Sequence, residues 1–141
     1  MNGVRTFLDT NILVYALCPS APEKSRRAQA VMEAALTSGR GVVSYQVAQE
    51  FISVALHKFR RVMRLQDLAS MLAQVFQPML EIEPSLPLYS GALGVYERFH
   101  LAWYDALIVA AAQAAGCAIL YSEDFQHGQR FDRLRVENPF L

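Results

Sequence analysis

Four acidic residues stand at positions where a protein built around a sheet could use them for chemistry. Asp9 and Asp124 each follow an apolar run that predicts a buried strand, and Glu50 and Asp105 lie in predicted helices. Carboxylate oxygens are the ligands that Mg²⁺ and Mn²⁺ prefer. Acids that are crowded together repel one another and raise each other's pKa unless a cation neutralises them. If the fold brings the four acids together, they predict a divalent-metal site that could activate water for hydrolysis.

Each acid also has a purely structural interpretation. Asp9 can cap the helix that begins at Thr10, because Asp favours that position. Asp105 can be a first-turn acid that complements the helix dipole. Glu50 can be a solvated residue on the polar face of its helix, and Asp124 can be an ordinary loop acid. The choice between these interpretations and a shared site depends on how the fold places the four positions.

Strand-like and helix-like patterns alternate along the chain. The predicted strands cover residues 4–8, 42–43, 80–82, 117–121 and 134–137. Predicted helices begin after Asp9, Ser20, Ser44 and Ser85, near Leu65, and at Trp103, and Pro78 should stop the helix that begins near Leu65. This alternation is typical of an α/β three-layer sandwich with a mostly parallel central sheet of about five strands. All strands of a parallel sheet end at the same edge and the crossover helices begin there, so the four acids should meet at that edge.

Length and composition favour one globular domain that spans residues 1–141. Apolar residues make up 53% and charged residues 18% of the 141 positions, which excludes a disordered chain. The formal net charge is zero, so binding to nucleic acid would need a local basic patch. Cys18 and Cys117 do not have the spacing of a zinc site. The apolar runs are too short for a membrane span or a signal peptide, and we expect a soluble cytoplasmic protein without a membrane partner.

Several segments of the chain resemble the acidic signatures of the PIN-domain nuclease family. They are Phe7–Asn11, the helical Glu50, Tyr104–Ala112 and Leu120–Phe125, and Val136–Phe140 is also similar to the last strand of the family. The resemblance covers essentially the whole chain, and the blocks around Asp9 and Asp105 are its most specific parts. A domain of this size looks most like the toxin subunit of a VapBC-type toxin–antitoxin pair.

The resemblance implies a metal-dependent endoribonuclease that uses Mg²⁺ or Mn²⁺. It also implies a central strand order of 3-2-1-4-5, a homodimer and inhibition by a small antitoxin protein. By position in the family pattern, the catalytic and metal-binding acids would be Asp9, Glu50, Asp105 and Asp124. The supporting polar residues would be Thr10, Asn11 and Ser122. Glu123 adjoins Asp124 and could share or replace its role.

An RNA substrate would also need positive charge and stacking surfaces along its path. The densest basic cluster is Lys58–Arg64, whose Arg60, Arg61 and Arg64 could contact RNA or could simply form a solvated face. Trp103 and Tyr104 could stack on a base or pack at the rim of the core.

Two other functions compete with a nuclease. The first is a non-catalytic PIN-like scaffold that acts by binding protein, and the complete set of acids argues against it. The second is a phosphoacceptor receiver domain, which needs paired acids after its first strand and a Lys after its fifth. Here Asp9 stands alone after the first strand and Asn138–Pro139 follow the fifth, so the sequence favours the nuclease.

Overall fold

The computed structural model describes residues 3–59 and 63–141. The strands are β1 (Thr6–Leu8), β2 (Gly41–Ser44), β3 (Leu80–Ile82), β4 (Ile119–Tyr121), β5 (Arg130–Phe131) and β6 (Leu134–Glu137). The helices are α1 (Thr10–Ala16), α2 (Pro22–Ser38), α3 (Tyr45–Lys58), α4 (Leu65–Met71), α5 (Gln77–Met79), α6 (Leu86–Phe99) and α7 (Trp103–Ala114), with a π-helical segment, Leu72–Phe76, between α4 and α5. None of the helices in these two ranges is long and apolar enough to cross a membrane.

The six strands form one sheet in the order β3-β2-β1-β4-β6-β5. All neighbouring strands are parallel except β5 and β6. The α/β fold and the predicted order 3-2-1-4-5 are confirmed, with the predicted fifth strand, 134–137, appearing as β6. Strand β5 is not predicted from the sequence, because a strand of two residues is too short to show a period.

The central strand β1 is covered on both faces. Phe7 and Leu8 are fully buried although neighbouring side chains of a strand point to opposite faces. Helices therefore pack on each side of the sheet, which explains why its inner strands are continuous apolar runs. The packing of α2 on β2 is close enough that a Cβ atom at Gly41 would lie 2.4 Å from the Cβ of Ala35.

Side-chain caps fix where several helices begin at the edge where the strands end. The hydroxyl of Ser44 accepts a 3.4 Å hydrogen bond from the amide of Val47, which starts α3 directly after β2. Asp9 caps α1 directly after β1 by accepting from the amide of Thr10. These caps turn the chain from strand to helix within one residue and hold the first turns of α1 and α3 at this edge.

Two details of the helices differ from prediction. Helix α2 begins at Pro22 rather than after Ser20, because Pro at the first position has a fixed φ and needs no amide partner. The hydroxyl of Ser20 lies 3.3 Å from the sulfur of Cys18 instead of capping the helix. Helical structure after Arg64 also extends through Pro78 to Met79 instead of stopping at Pro78.

Candidate metal centre

Asp9 lies directly after β1, and its side chain is held in place from two sides. Its backbone amide donates to the carbonyl of Tyr121 at 3.0 Å, which extends the pairing of β1 with β4 by one residue. Its Oδ1 accepts from the amide of Thr10 at 2.8 Å, and its Oδ2 accepts from the hydroxyl of Ser122 at 2.7 Å. The side chain of Asp9 is therefore both a helix cap and a fixed carboxylate at the end of the sheet.

The carboxyl group of Asp9 is an unfavourable place for a negative charge. Burial raises its pKa from 3.8 to about 7, although the hydrogen bonds from Ser122 and Thr10 act in the opposite direction. The charges of Asp124 and Glu50 raise this pKa further. A cation bound beside Asp9 would offset both the burial and the repulsion, so the electrostatics of the site fit a positively charged ligand.

Asn11 connects the loop after β1 to the loop after β4. Its amide nitrogen lies 3.2 Å from Oδ2 of Asp124, 3.3 Å from the hydroxyl of Ser122 and 3.5 Å from Oδ2 of Asp9. Its amide oxygen accepts from the backbone amide of Glu123 at 3.3 Å. The hydroxyl of Ser122 also accepts from the amide of Asp124 at 3.0 Å. This network places Asp124 on the same side of the sheet edge as Asp9.

Glu50 reaches the site from the second turn of α3. Its Oε1 accepts a 2.6 Å hydrogen bond from the hydroxyl of Thr10, and its Oε2 accepts from Nε2 of Gln46 at 3.3 Å. Gln46 lies one helical turn before Glu50, so both side chains are on the same face of α3. Nε2 of Gln46 also donates to the carbonyl of Tyr104 at 3.2 Å and thereby ties α3 to the start of α7.

Asp105 stands in the first turn of α7 and is half-buried. Burial raises the pKa of its carboxyl group, and the charges of Asp124 and Glu50 add to the effect. Within residues 3–59 and 63–141 its carboxylate makes no hydrogen bond. Asp105 is therefore free to bind a ligand or to accept a proton.

The four acids thus lie around one region but do not form a closed cage. Asp124 and Glu50 act on the pKa of both Asp9, which follows β1, and Asp105, which lies in the first turn of α7. In the described part of the chain, however, no three Asp, Glu, His or Cys side chains are close enough to bind one ion together. This open spacing suits Mg²⁺, which keeps several waters and is usually bound through one or two carboxylates and substrate phosphates. It does not suit zinc, which needs a compact set of nitrogen and sulfur ligands.

A groove of about 910 Å³ runs past Glu50 and Asp124, and we call it the acid groove; Asp9 and Asp105 are not among its walls. Its walls are Thr10, Asn11, Val14, Tyr15, Cys18, Ser20, Ala21, Glu50, Ser53, Val54, Lys58, Phe59, Glu123 and Asp124. Lys58 belongs to the basic cluster found in the sequence and lines this groove. Arg64 is exposed and pairs with Asp67 at 3.4 Å, and Arg60 and Arg61 fall outside the described residues.

Glu123 differs from the neighbouring Asp124 in its partner. The ammonium group of Lys24 lies 3.0 Å from Oε1 of Glu123, 3.3 Å from the hydroxyl of Tyr15 and 4.5 Å from the centre of the Tyr15 ring. A charge that is already paired with Lys24 has less need of a metal ion. Neither Lys24 nor Gln46 is among the residues predicted for the site. Lys24 is 99 positions from Glu123, whereas the place of Gln46 one turn before Glu50 is a signal that the sequence does contain.

Comparison with known proteins identifies the family to which the chain is similar. The sequence matches the PIN domain family over residues 6–135. A search of curated proteins by sequence finds no match.

Several solved structures share the fold. One is a toxin–antitoxin complex from Klebsiella pneumoniae, with 20% sequence identity, a TM-score of 0.68 and coverage of 95% of this chain and 97% of that one. VapBC2 from Rickettsia felis, bound to a DNA fragment from its promoter, has 21% identity, a TM-score of 0.66 and coverage of 94% and 97%. The sarcin–ricin loop cleaving toxin VapC20 from Mycobacterium tuberculosis has 16% identity, a TM-score of 0.61 and coverage of 92% and 98%. The match over nearly the whole sequence and the shared fold agree: this chain belongs to the PIN-domain family.

Proposed function

We propose that this protein is a metal-dependent endoribonuclease and the toxin of a toxin–antitoxin pair. The observation that carries the proposal is the buried carboxylate of Asp9, which Ser122 holds at the end of β1 and whose pKa is raised by the nearby charges of Glu50 and Asp124. Membership of the PIN-domain family supports nuclease chemistry at this site. The similar fold of a toxin that cleaves the sarcin–ricin loop supports RNA as the substrate.

Asp9, Glu50, Asp105 and Asp124 would hold one or two Mg²⁺ or Mn²⁺ ions. When bound, such an ion lowers the pKa of water and offsets negative charge on the leaving oxygen. Asp9 supplies the rigid, buried side of the site, and the exposed Asp124 supplies the side nearest to solvent. Thr10 and Gln46 fix the direction of the Glu50 carboxylate, while Asn11 and Ser122 fix that of Asp9 and Asp124.

Asp105 is the group in this set that is suited to accept the proton of the attacking water. Its carboxylate has no hydrogen-bond partner in the described ranges, whereas the other three acids are held by donors. In the metal-free protein, burial and the nearby charges of Asp124 and Glu50 raise its pKa.

The acid groove would give the RNA strand a path past Glu50, Glu123 and Asp124. Lys58 would contact a phosphate along this path, and Arg60, Arg61 and Arg64, which follow it in the sequence, are the further candidates for RNA contact.

The partners of this protein would be an antitoxin and a second copy of the chain. Toxin–antitoxin complexes among the proteins of similar fold support the antitoxin. An exposed apolar row on α6 supports a homodimer, since Leu86, Leu93 and Tyr96 keep 78%, 57% and 49% of their surface in solvent. The protein would act in the cytoplasm, where its RNA substrate is found.

Sequencing of RNA ends after brief induction tests the function in cells. We expect the wild type to arrest growth and to create new RNA ends at defined positions. Asp9→Asn should create none, while Glu33→Gln, an exposed acid on α2, should behave as the wild type. Equal sets of ends from wild type and Asp9→Asn, or harmless expression of both, would favour a non-catalytic scaffold instead.

A further inference from the structure

A second cavity lies beside the acids, between the first turns of α3 and α7 and one side of α6. Its volume is about 310 Å³. We call it the α3–α7 pocket, and its walls are Ser44, Gln46, Gln49, Ile82, Pro84, Leu88, Tyr89, Trp103, Tyr104, Leu107 and Ala111. None of these residues carries a charge. The pocket therefore suits a neutral group rather than a phosphate or a metal ion.

Aromatic rings form one wall of the α3–α7 pocket. The rings of Tyr89 and Trp103 meet edge to face, with centroids 6.3 Å apart and planes inclined by 63°. This contact holds the Trp103 ring in a fixed orientation. Tyr104 follows directly and leaves 66% of its surface in solvent. An exposed ring next to a fixed one provides surfaces on which a planar group can stack.

Amide groups form another part of the wall and connect it to the acids. Nε2 of Gln46 donates both to Oε2 of Glu50 and to the carbonyl of Tyr104, so its side chain is shared by the candidate metal centre and the pocket. Gln49 is exposed one turn along the same helix and carries both donors and an acceptor. A planar ring with polar edges could stack on the aromatic wall and hydrogen-bond to Gln49.

We propose that the α3–α7 pocket binds one unpaired nucleobase of the RNA, next to the phosphate at the acids. This proposal rests on the proposed function and adds a subsite to it. A nucleobase is uncharged, planar and polar at its edges, which matches the walls of the pocket. Its backbone would continue past Gln46 and Glu50 into the acid groove, because both cavities open at the edge where the parallel strands end. Single-stranded RNA is commonly bound in this way, by stacking of splayed bases on aromatic side chains.

The chain contains one tryptophan, so the fluorescence of Trp103 reports directly on this pocket. The titration uses wild-type protein in EDTA, which prevents metal-dependent cleavage, with short single-stranded homopolymers of each ribonucleotide. Two control probes are matched to these strands. One has the same backbone with stable abasic residues, and the other is the same strand paired in a duplex. We expect at least one single strand to quench Trp103, and we expect the abasic strand to bind about 5- to 150-fold more weakly without quenching.

Variants separate a base subsite from a structural role of the same rings. Tyr104→Ala should raise the KM for a cleavable strand about 5- to 150-fold and change kcat little, and Tyr104→Phe should restore the KM. The control is Tyr45→Ala, a tyrosine that is 38% exposed at the start of α3 and does not line the pocket, which should change neither.

Equal binding of the natural and abasic strands, with no change in Trp103 fluorescence, would overturn the subsite even if RNA is still cleaved. This test uses only wild-type protein, so its outcome does not depend on whether a variant folds. If the protein neither binds nor cleaves any of the strands when Mg²⁺ or Mn²⁺ is present, the proposed function itself is wrong and the subsite is lost with it.

Discussion

The hydroxyl of Ser122 donates a 2.7 Å hydrogen bond to Oδ2 of Asp9, although the two residues are 113 positions apart in sequence. The bond joins the ends of β1 and β4 and is fully shielded from solvent at Ser122. It also lowers the pKa of Asp9, against the larger effect of burial. Ser122 therefore helps to keep Asp9 ionised.

Removal of this donor should shift the pH dependence of activity. Ser122→Ala takes away a hydrogen bond to a charged group, worth about 1.5–3 kcal/mol. We therefore expect the pKa of Asp9 to rise, and the acidic limb of the pH–rate profile for RNA cleavage to move to higher pH. Ser90→Ala, an exposed serine on α6, is the control. An unchanged acidic limb in Ser122→Ala would show that this hydrogen bond does not tune Asp9.

The burial of Asp9 should make the metal-free protein less stable as the pH rises. Its pKa is about 7 in the folded protein and 3.8 in the ordinary state, so between these values the folded protein holds a proton that the unfolded chain has released. Protonated Asp9 thus makes its full stabilising contribution to the folded protein below a pH of about 4, and this contribution is lost as the pH rises through about 7. Asn does not titrate, so Asp9→Asn should lack this loss.

Denaturant unfolding in EDTA measures the effect. Relative to wild type, Asp9→Asn should gain roughly 4 kcal/mol at most in its free energy of unfolding between a pH of about 4 and a pH of about 8. Glu33→Gln should follow the wild-type curve, since Glu33 is exposed on α2. If the free energy of unfolding of wild type and Asp9→Asn depended on pH in the same way, burial would not disfavour the ionised form of Asp9.

Adjacent acids in the loop after β4 should differ in importance. Glu123 is paired with Lys24, while Asp124 is bound by Asn11 and faces the acids. Glu123→Gln should leave the rate of RNA cleavage within a few-fold of wild type. Asp124→Asn should lower it by about 10²-fold or more, as expected for a group at the reacting centre. Cleavage rates with purified variants decide the matter, and a greater loss in Glu123→Gln would reverse the assignment.

Lys58 should contribute to RNA binding through its charge. It lines the acid groove, so Lys58→Glu should weaken the binding of all single-stranded RNAs alike and reduce the slope of log K against log salt by about 1. Arg40→Glu is a matched control because Arg40 precedes β2, at the opposite edge of the sheet. Equal affinities for wild type and Lys58→Glu across the salt range would remove Lys58 from the RNA path.

The sequence predicts the edge at which the acids lie, but not their mutual contacts. Asp9 and Asp124 could be placed because each ends a buried apolar run, and all parallel strands end at the same side. Two of these contacts join Lys24 to Glu123 and Thr10 to Glu50. The residues of each pair are far apart in sequence, so local sequence patterns do not predict that they meet. The start of α2 was predicted wrongly because Ser20 and Pro22 both carry helix-start signals, and the fixed φ of Pro22 decided between them.

The rate of RNA cleavage by purified protein, with and without Mg²⁺ or Mn²⁺, tests the central claim most directly. Wild type and Glu33→Gln should cleave single-stranded RNA only when the metal is present. Asp9→Asn and Asp105→Asn should each lose about 10²- to 10⁴-fold in rate while remaining folded. Cleavage at the wild-type rate by either variant, or by wild type in EDTA, would contradict a metal centre built on these acids.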